Sequence, residues 1–242
     1  MRHILFTMAV VTAVAAFSDN CRADEKARAV INKAIKAMGG EDKLAKHQAF
    51  RAKETGTYYG MGEGLPYTGV YAVQWPEQFS MEIEGVFKIV LNKDKGWVSS
   101  MGNTVEMPEE QLKKQQSDHL AGWTTTLLPL KDPKFKLSHM GEFEIDGKAA
   151  VGVKVKHEDQ HLNDLFFDAE SGLLVKSFNR TLSTEQGKEV DQEILYSGYK
   201  EVEGAKIAMK VVIMHDGKKF VEGETTEYEP VGKLDDDVFA KP

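Results

Sequence analysis

The chain has 242 residues, 41% of them hydrophobic, and sets 31 lysines and arginines against 38 aspartates and glutamates, a formal net charge of −7. That acidic balance excludes a nucleic-acid binder, which would carry a basic stripe, and the two signs are interspersed as on an ordinary solvated surface. A single cysteine, Cys21, excludes a disulfide-built scaffold.

Residues 1–23 read as an export signal. Arg2 and His3 make a short basic start, Ile4 to Phe17 is apolar apart from two threonines, and Ser18 to Ala23 is polar with a small residue at its end. The apolar run is too short to span a bilayer as a helix, so cleavage after Ala23 is expected. Cys21 then falls in the discarded peptide, because Ser18-Asp19-Asn20 lacks the leucine and small residues of a lipoprotein processing site. Losing Arg2, Arg22 and Asp19 leaves 219 residues with 29 basic and 37 acidic side chains, a net charge of −8. Residues 24–242 are expected to form one domain of a bacterial protein exported to the periplasm or cell surface.

Ala27, Val30, Ile31, Ala34, Ile35 and Met38 recur at three- and four-residue spacing, which predicts an amphipathic helix ended by Gly39-Gly40. From Ala49 the period becomes two. Tyr71, Val73 and Trp75 alternate with small or polar residues up to Pro76, and Phe79, Met81 and Ile83 alternate with Ser80, Glu82 and Glu84. Phe87, Ile89 and Leu91 lead into the turn Asn92 to Gly96, where Trp97 opens the next strand. Pro108-Glu109-Glu110 starts an inserted helix towards Pro129, with Leu112, Leu120, Trp123 and Leu127 on one face.

Strands resume at Phe135, and Val151, Val153 and Val155 alternate with glycine and lysine. Leu165 to Lys176 reads as two strands joined by a tight turn at Asp168–Gly172, and Tyr196 to Ile207 as strand, glycine turn and strand. Ile207, Met209, Val211 and Ile213 precede the hairpin turn Asp216-Gly217. The sum is nine to eleven antiparallel strands with two helical regions, an α+β fold.

His157-Glu158-Asp159-Gln160-His161 matches H-E-x-x-H, a zinc-hydrolase motif when both imidazoles share a helix face. Here it lies between strand patterns, so a polar hairpin tip is the expected reading, with a metal-dependent hydrolase as the alternative. Asn179-Arg180-Thr181 matches a glycosylation acceptor, and Asp235-Asp236-Asp237 reads as an acidic turn, calcium being the alternative. No nucleophile elbow, P-loop or dinucleotide fingerprint is present. No catalytic constellation, cofactor or metal is expected, so the chain reads as a non-enzyme. The aromatic residues suggest an apolar cavity between a curved sheet and covering helices.

Several pieces together resemble the LolA/LolB-like group of exported bacterial proteins, including outer-membrane lipoprotein-sorting proteins. They are Met38-Gly39-Gly40, Lys95-Gly96-Trp97, Phe167-Asp168 with Ser171-Gly172-Leu173-Leu174, Tyr199-Lys200-Glu201-Val202 with Gly204, and the closing Asp235-Asp236-Asp237-Val238-Phe239 with Pro242. The resemblance implies an incomplete, strongly curved antiparallel β-barrel. Its concave face would be lined by hydrophobic side chains, covered by helices, and would hold a lipid or the acyl chains of an acylated protein. The expected lining on the sheet is Tyr71, Trp75, Phe79, Met81, Trp97, Phe167, Ile207 and Met209. A helical lid would contribute Leu112, Leu120, Trp123 and Leu127. Arg51 and Arg180 are the only arginines beyond the first helix that could match the lid-holding arginine of the carriers. A monomer is expected, with an envelope protein as a possible partner; an envelope interaction module with an exposed strand edge is the further alternative.

Overall fold

A computed structural model describes residues 12–183 and 187–242, with side chains from residue 24 onward within those ranges. Of the expected export signal, residues 1–11 lie outside the described residues, and the backbone of 12–23 is continuous with the first helix, α1 (Thr12–Ala37). No helix among the described residues is long and apolar enough to cross a membrane.

The apolar stripe of α1 does what its spacing predicts. Ala27, Ile31, Ala34, Ile35 and Met38 are all buried in the main core, and Val30 packs beside them. Gly39 and Gly40 take φ of 116° and 89°, and the Gly40 amide donates to the Ile35 carbonyl, closing the helix end. A short α2 (Glu41–Leu44) and a 3-10 turn at Ala45–His47 follow.

The described residues form fifteen strands, more than the nine to eleven expected. In chain order they are β1 (Ala49–Tyr58), β2 (Leu65–Gln74), β3 (Gln78–Ile83), β4 (Phe87–Asn92), β5 (Lys95–Ser100) and β6 (Asn103–Glu106). After the inserted helix α3 (Glu109–Thr124) come β7 (Phe135–Ile145), β8 (Lys148–His157), β9 (Gln160–Asp168), β10 (Leu174–Ser183) and β11 (Lys188–Ser197). The chain ends with β12 (Lys200–Val202), β13 (Ala205–Ile207), β14 (Lys210–His215), β15 (Lys218–Val231) and a 3-10 turn at Asp236–Phe239. Thirteen strands make one antiparallel sheet in the order β6-β5-β4-β3-β2-β1-β15-β14-β11-β10-β9-β8-β7, and β12 and β13 form a separate hairpin. The two end strands, β6 and β7, do not pair, so the sheet stays an incomplete barrel.

Register breaks on five of the strand pairs bend the sheet. One of them lies at the centre, where β15 carries an extra residue, Thr226, opposite the Lys53/Glu54 step of β1. Its hydroxyl donates to the Lys53 carbonyl. The insertion switches the inward parity of β15, so Thr225 and Tyr228 both face the same side while Glu222, Glu224, Glu227 and Glu229 remain exposed.

The two faces of the sheet are packed differently. On the inner face Leu137, Val153, Val155, Leu165 and Phe167 meet α1. On the outer face Ala49, Ala72, Val90 and Trp97 are covered by the C-terminal segment through Leu234 and the fully buried Phe239. Gln74 and Asn92 hold that segment by bonds to the Leu234 amide and the Phe239 carbonyl.

Three of the sequence pieces that carry the family resemblance meet at the end of α1. The Lys206 amide donates to the Met38 carbonyl, and a Cβ on Gly39 would lie 2.2 Å from the Gly204 carbonyl oxygen. On the other side Lys33 bonds the Ala169 carbonyl, in the turn that Asp168 closes by accepting from the Ser171 amide and hydroxyl. These glycines and turns are therefore docking points for the helix.

Candidate ligand cavity

The strands at the middle of the sheet leave a cavity of about 270 Å³ on the inner face. Period-two alternation selects its lining. From β1 come Phe50, Ala52 and Glu54, from β2 Tyr71, and from the turn after β2 Trp75. Leu174 of β10, Tyr196 of β11, Val211 of β14 and Thr225 and Tyr228 of β15 complete the sheet wall. The roof is Met38, Leu44 and His47 after α1, Thr125 and Thr126 after α3, and Tyr199, Ile207 and Ala208 around the β12–β13 hairpin.

Four of these residues are tyrosines, and each has its hydroxyl bonded within the protein. Tyr199 donates to the Leu174 carbonyl at 2.6 Å, Tyr196 pairs with Ser177 at 2.9 Å, Tyr228 with His47 Nδ1 at 3.1 Å, and Tyr71 donates to Glu54 at 3.2 Å. Rings whose polar tips are satisfied present their faces as apolar wall. Burial pushes the Tyr196 hydroxyl up to about 12 and also raises Tyr71, Tyr199 and Tyr228, so all four stay protonated at neutral pH. Burial lowers His47, keeping it neutral there.

Glu54 is the one carboxylate of the lining. Its Oε1 accepts from Tyr67 at 2.5 Å and from Tyr71 at 3.2 Å.

A second cavity, about 460 Å³, lies where α3 meets both arms of the sheet. Leu91 and Lys93 border it from one arm, Phe135 and His157 from the other, and Gln116, His119, Leu120 and Trp123 from the helix. Its rim is charged, with Glu77, Lys93, Asp132 and Lys134. Burial holds His119 down at about 4, and its ring stacks on Trp75 at 4.4 Å.

Of the residues expected from the sequence, Tyr71, Trp75 and Ile207 line the first cavity. Phe79 and Met81 share the face of Tyr71 on β3, half-buried, with Phe79 against His119. Phe167 and Leu127 are solid core, 2% and 0% exposed, and Met209 is buried. Trp97 lies on the opposite face of the sheet, under the C-terminal segment, because its register follows Val90 and Ala72.

The inserted helix forms, with a shorter apolar face than expected. The helix stops at Thr124, and Leu127 at φ 70° turns the chain aside, so the four predicted residues do not share one helical face. Leu120 and Trp123 border the second cavity, and Leu112 sits against Gly96. Asn163 bonds the Ala121 carbonyl and Thr124 hydroxyl, Thr181 bonds Asp118, and Lys114 bonds the Arg180 carbonyl, tying α3 to β9 and β10. Gln116 bonds the Lys93 carbonyl on the other arm. The helix is a strut across the open barrel.

Arg51 is exposed and, as a neighbour of Ala52 along the strand, points to the outer face; Arg180 pairs with Glu189 and Asp191. The H-E-x-x-H match is a hairpin, as its flanks predict. Glu158 and Asp159 form the turn at φ 50° and 64° between β8 and β9. His157 and His161 alternate to opposite faces, one beside Phe135 and the other bonded to Asp164 at 2.9 Å. Asn179 of the glycosylation match is buried and accepts from Gln192.

Phe50, Tyr196 and Tyr228 are lining residues that sequence reasoning did not single out, and Tyr199, part of a family-like segment, was not expected in the lining. A parity signal exists for Phe50, since Phe50-Ala52-Glu54 alternates with Arg51 and Lys53.

The architecture is LolA-like, and it is shared with several solved proteins. A LolA superfamily protein from Nitrosomonas europaea superposes with a TM-score of 0.59 at 11% identity, covering 89% of this chain and 97% of that one. A DUF1329 family protein from Desulfovibrio piger gives 0.58 at 10% identity over 88% and 97% of the two chains. A domain assigned as an outer membrane lipoprotein-sorting protein, from Vibrio parahaemolyticus, gives 0.55 at 11% identity over 89% and 97%. At these identities the likeness is one of fold. No protein-family model and no curated protein matches the sequence.

Proposed function

We propose that this protein is a non-enzymatic binder or carrier of a lipid-like ligand, exported to the bacterial envelope as a monomer, that holds the ligand's apolar chain in the central cavity. The observation that carries this reading is the cavity wall itself. Four tyrosine rings with internally bonded hydroxyls, together with Phe50, Trp75, Ile207 and Val211, surround an unfilled volume of about 270 Å³. That is close to the small end of the ~300–1,000 Å³ range of ligand pockets. A fold shared with a lipoprotein-sorting domain supports the same reading. Free acyl lipid and the acyl chain of a modified protein are both within it.

Chain burial supplies the affinity. Each methylene removed from water is worth ~0.8 kcal/mol, so about eight of them yield ~6 kcal/mol before the costs of association. Export rests on the basic, apolar and small-residue pattern of residues 1–23.

The test is titration of the purified chain with an environment-sensitive acyl fluorophore, followed by displacement with unlabelled lipid. The reading expects saturable binding near one per chain and full displacement. Linear, unsaturable partitioning would contradict it.

A further inference from the structure

Glu54 stands on a floor made for it. Along β1 the lining runs Phe50, Ala52, Glu54, so the carboxylate sits about 13 Å along the strand from Phe50, away from the roof formed after α1. Around it three strands, its own β1 and the flanking β2 and β15, each carry a glycine on the inner face. Gly56 of β1 pairs with Gly223 of β15, and Gly69 of β2 pairs with Glu54 itself.

Each glycine clears space for one member of the cluster. A Cβ on Gly223 would lie 2.8 Å from Glu54 Oε1. One on Gly56 would lie 2.3 Å from the Glu222 carbonyl oxygen and 2.8 Å from the Tyr67 hydroxyl, and one on Gly69 would lie 3.0 Å from that of Tyr71. Side chains at these positions would push the two tyrosines off the carboxylate. Both tyrosines donate to the same oxygen, Oε1, and no donor among the described residues is bonded to Oε2. The β15 bulge beside this point brings the small Thr225 opposite Glu54 and keeps Glu224 outside.

We infer that Glu54, oriented by Tyr67 and Tyr71 on the Gly56–Gly69–Gly223 floor, is the head-group site of the cavity, and that it selects an amphiphile whose polar end is a hydrogen-bond-donating cation, an ammonium, over one ending in a carboxylate. This rests on the reading of the cavity as a chain-binding site. The chemistry is direct: Oε2 accepts from the ammonium, a charge-assisted bond in a partly water-excluded site. A ligand carboxylate would meet like charge there, and both tyrosine protons are already engaged by Oε1.

Decylamine, decanoate and decanol share one chain and differ in head group, and at pH 7.5 the first is cationic and the second anionic. Calorimetric titration should give decylamine an affinity at least tenfold above decanoate, with decanol between them. Glu54→Gln should reduce decylamine affinity tenfold or more and bring the amine and acid within about threefold of each other. Tyr67→Phe keeps the charge but frees the carboxylate to rotate, and should weaken the amine preference by about threefold. Failure to bind any of the three refutes the cavity reading itself. Binding of decanol with no amine preference in the parent chain, or a preference that survives in Glu54→Gln, refutes the head-group assignment alone.

Discussion

Ala52→Phe tests the cavity at its floor. Ala52 lies mid-strand on β1, paired with Tyr71 on one side and Tyr228 on the other, and all three border the same space. A phenyl ring there points into volume the chain leaves empty, so it removes room for about three to four ligand methylenes. At ~0.8 kcal/mol each the loss is ~2.4–3.2 kcal/mol, or about 60–200-fold in Kd. Overpacking a filled core costs ~1–3 kcal/mol, but here the ring enters a void and the low end applies. For a chain of this size about 1 kcal/mol corresponds to roughly 2–4 °C in Tm. The assay is displacement of an acyl fluorophore with Tm recorded on the same samples. A variant within 4 °C of the parent that binds within threefold of it would refute the placement of the ligand over Ala52.

Phe239→Ala should cost about 3–5 kcal/mol by calorimetry, because it empties a fully buried site on the outer face, yet leave acyl-probe affinity within threefold. Gly39→Ala should cost about 2–4 kcal/mol, since a methyl group would press on the Gly204 carbonyl at a φ of 116°, and amide exchange at Lys206 should accelerate with it. Stability should fall between pH 7 and pH 5. His119 is held near 4 in the fold against an ordinary 6.5, so the unfolded chain binds the extra proton and is favoured as pH drops. The loss from this group is about 2 kcal/mol at pH 5, and His119→Phe should flatten the profile in urea melts over that window.

How much of this was legible in the sequence depends on whether a pattern was local. The α1 stripe and its Gly39-Gly40 stop follow from spacing alone, and so does the hairpin beneath the H-E-x-x-H match. The inserted helix is legible from its start signals, but helical spacing also reaches Leu127, where one left-handed residue has already turned the chain off the helix. Alternation says which residues share a face, not which face the helices cover, so it leaves the side on which Trp97 lies open. Its outward register only becomes evident once Phe239 is seen packed with it.

The β15 bulge left a trace that is readable in retrospect. Glutamates fall on even positions at 222 and 224, then on odd positions at 227 and 229, so the outward parity must slip between them. Glu54 looks like a solvent residue in sequence. Only the pairing of β1 with β2 and β15 brings two tyrosines and three glycines around it.

The three tryptophans allow the most direct test of where the ligand lies. Trp75 lines the central cavity, Trp123 the second one, and Trp97 packs on the opposite face of the sheet. Three variants, each retaining one tryptophan with the other two changed to phenylalanine, can be titrated with a fatty alcohol brominated along its chain. The account predicts saturable quenching of Trp75, with Trp97 and Trp123 little affected at the same occupancy. Equal quenching of all three, or stronger quenching of Trp123 than of Trp75, would contradict a chain-binding site at the centre of the sheet.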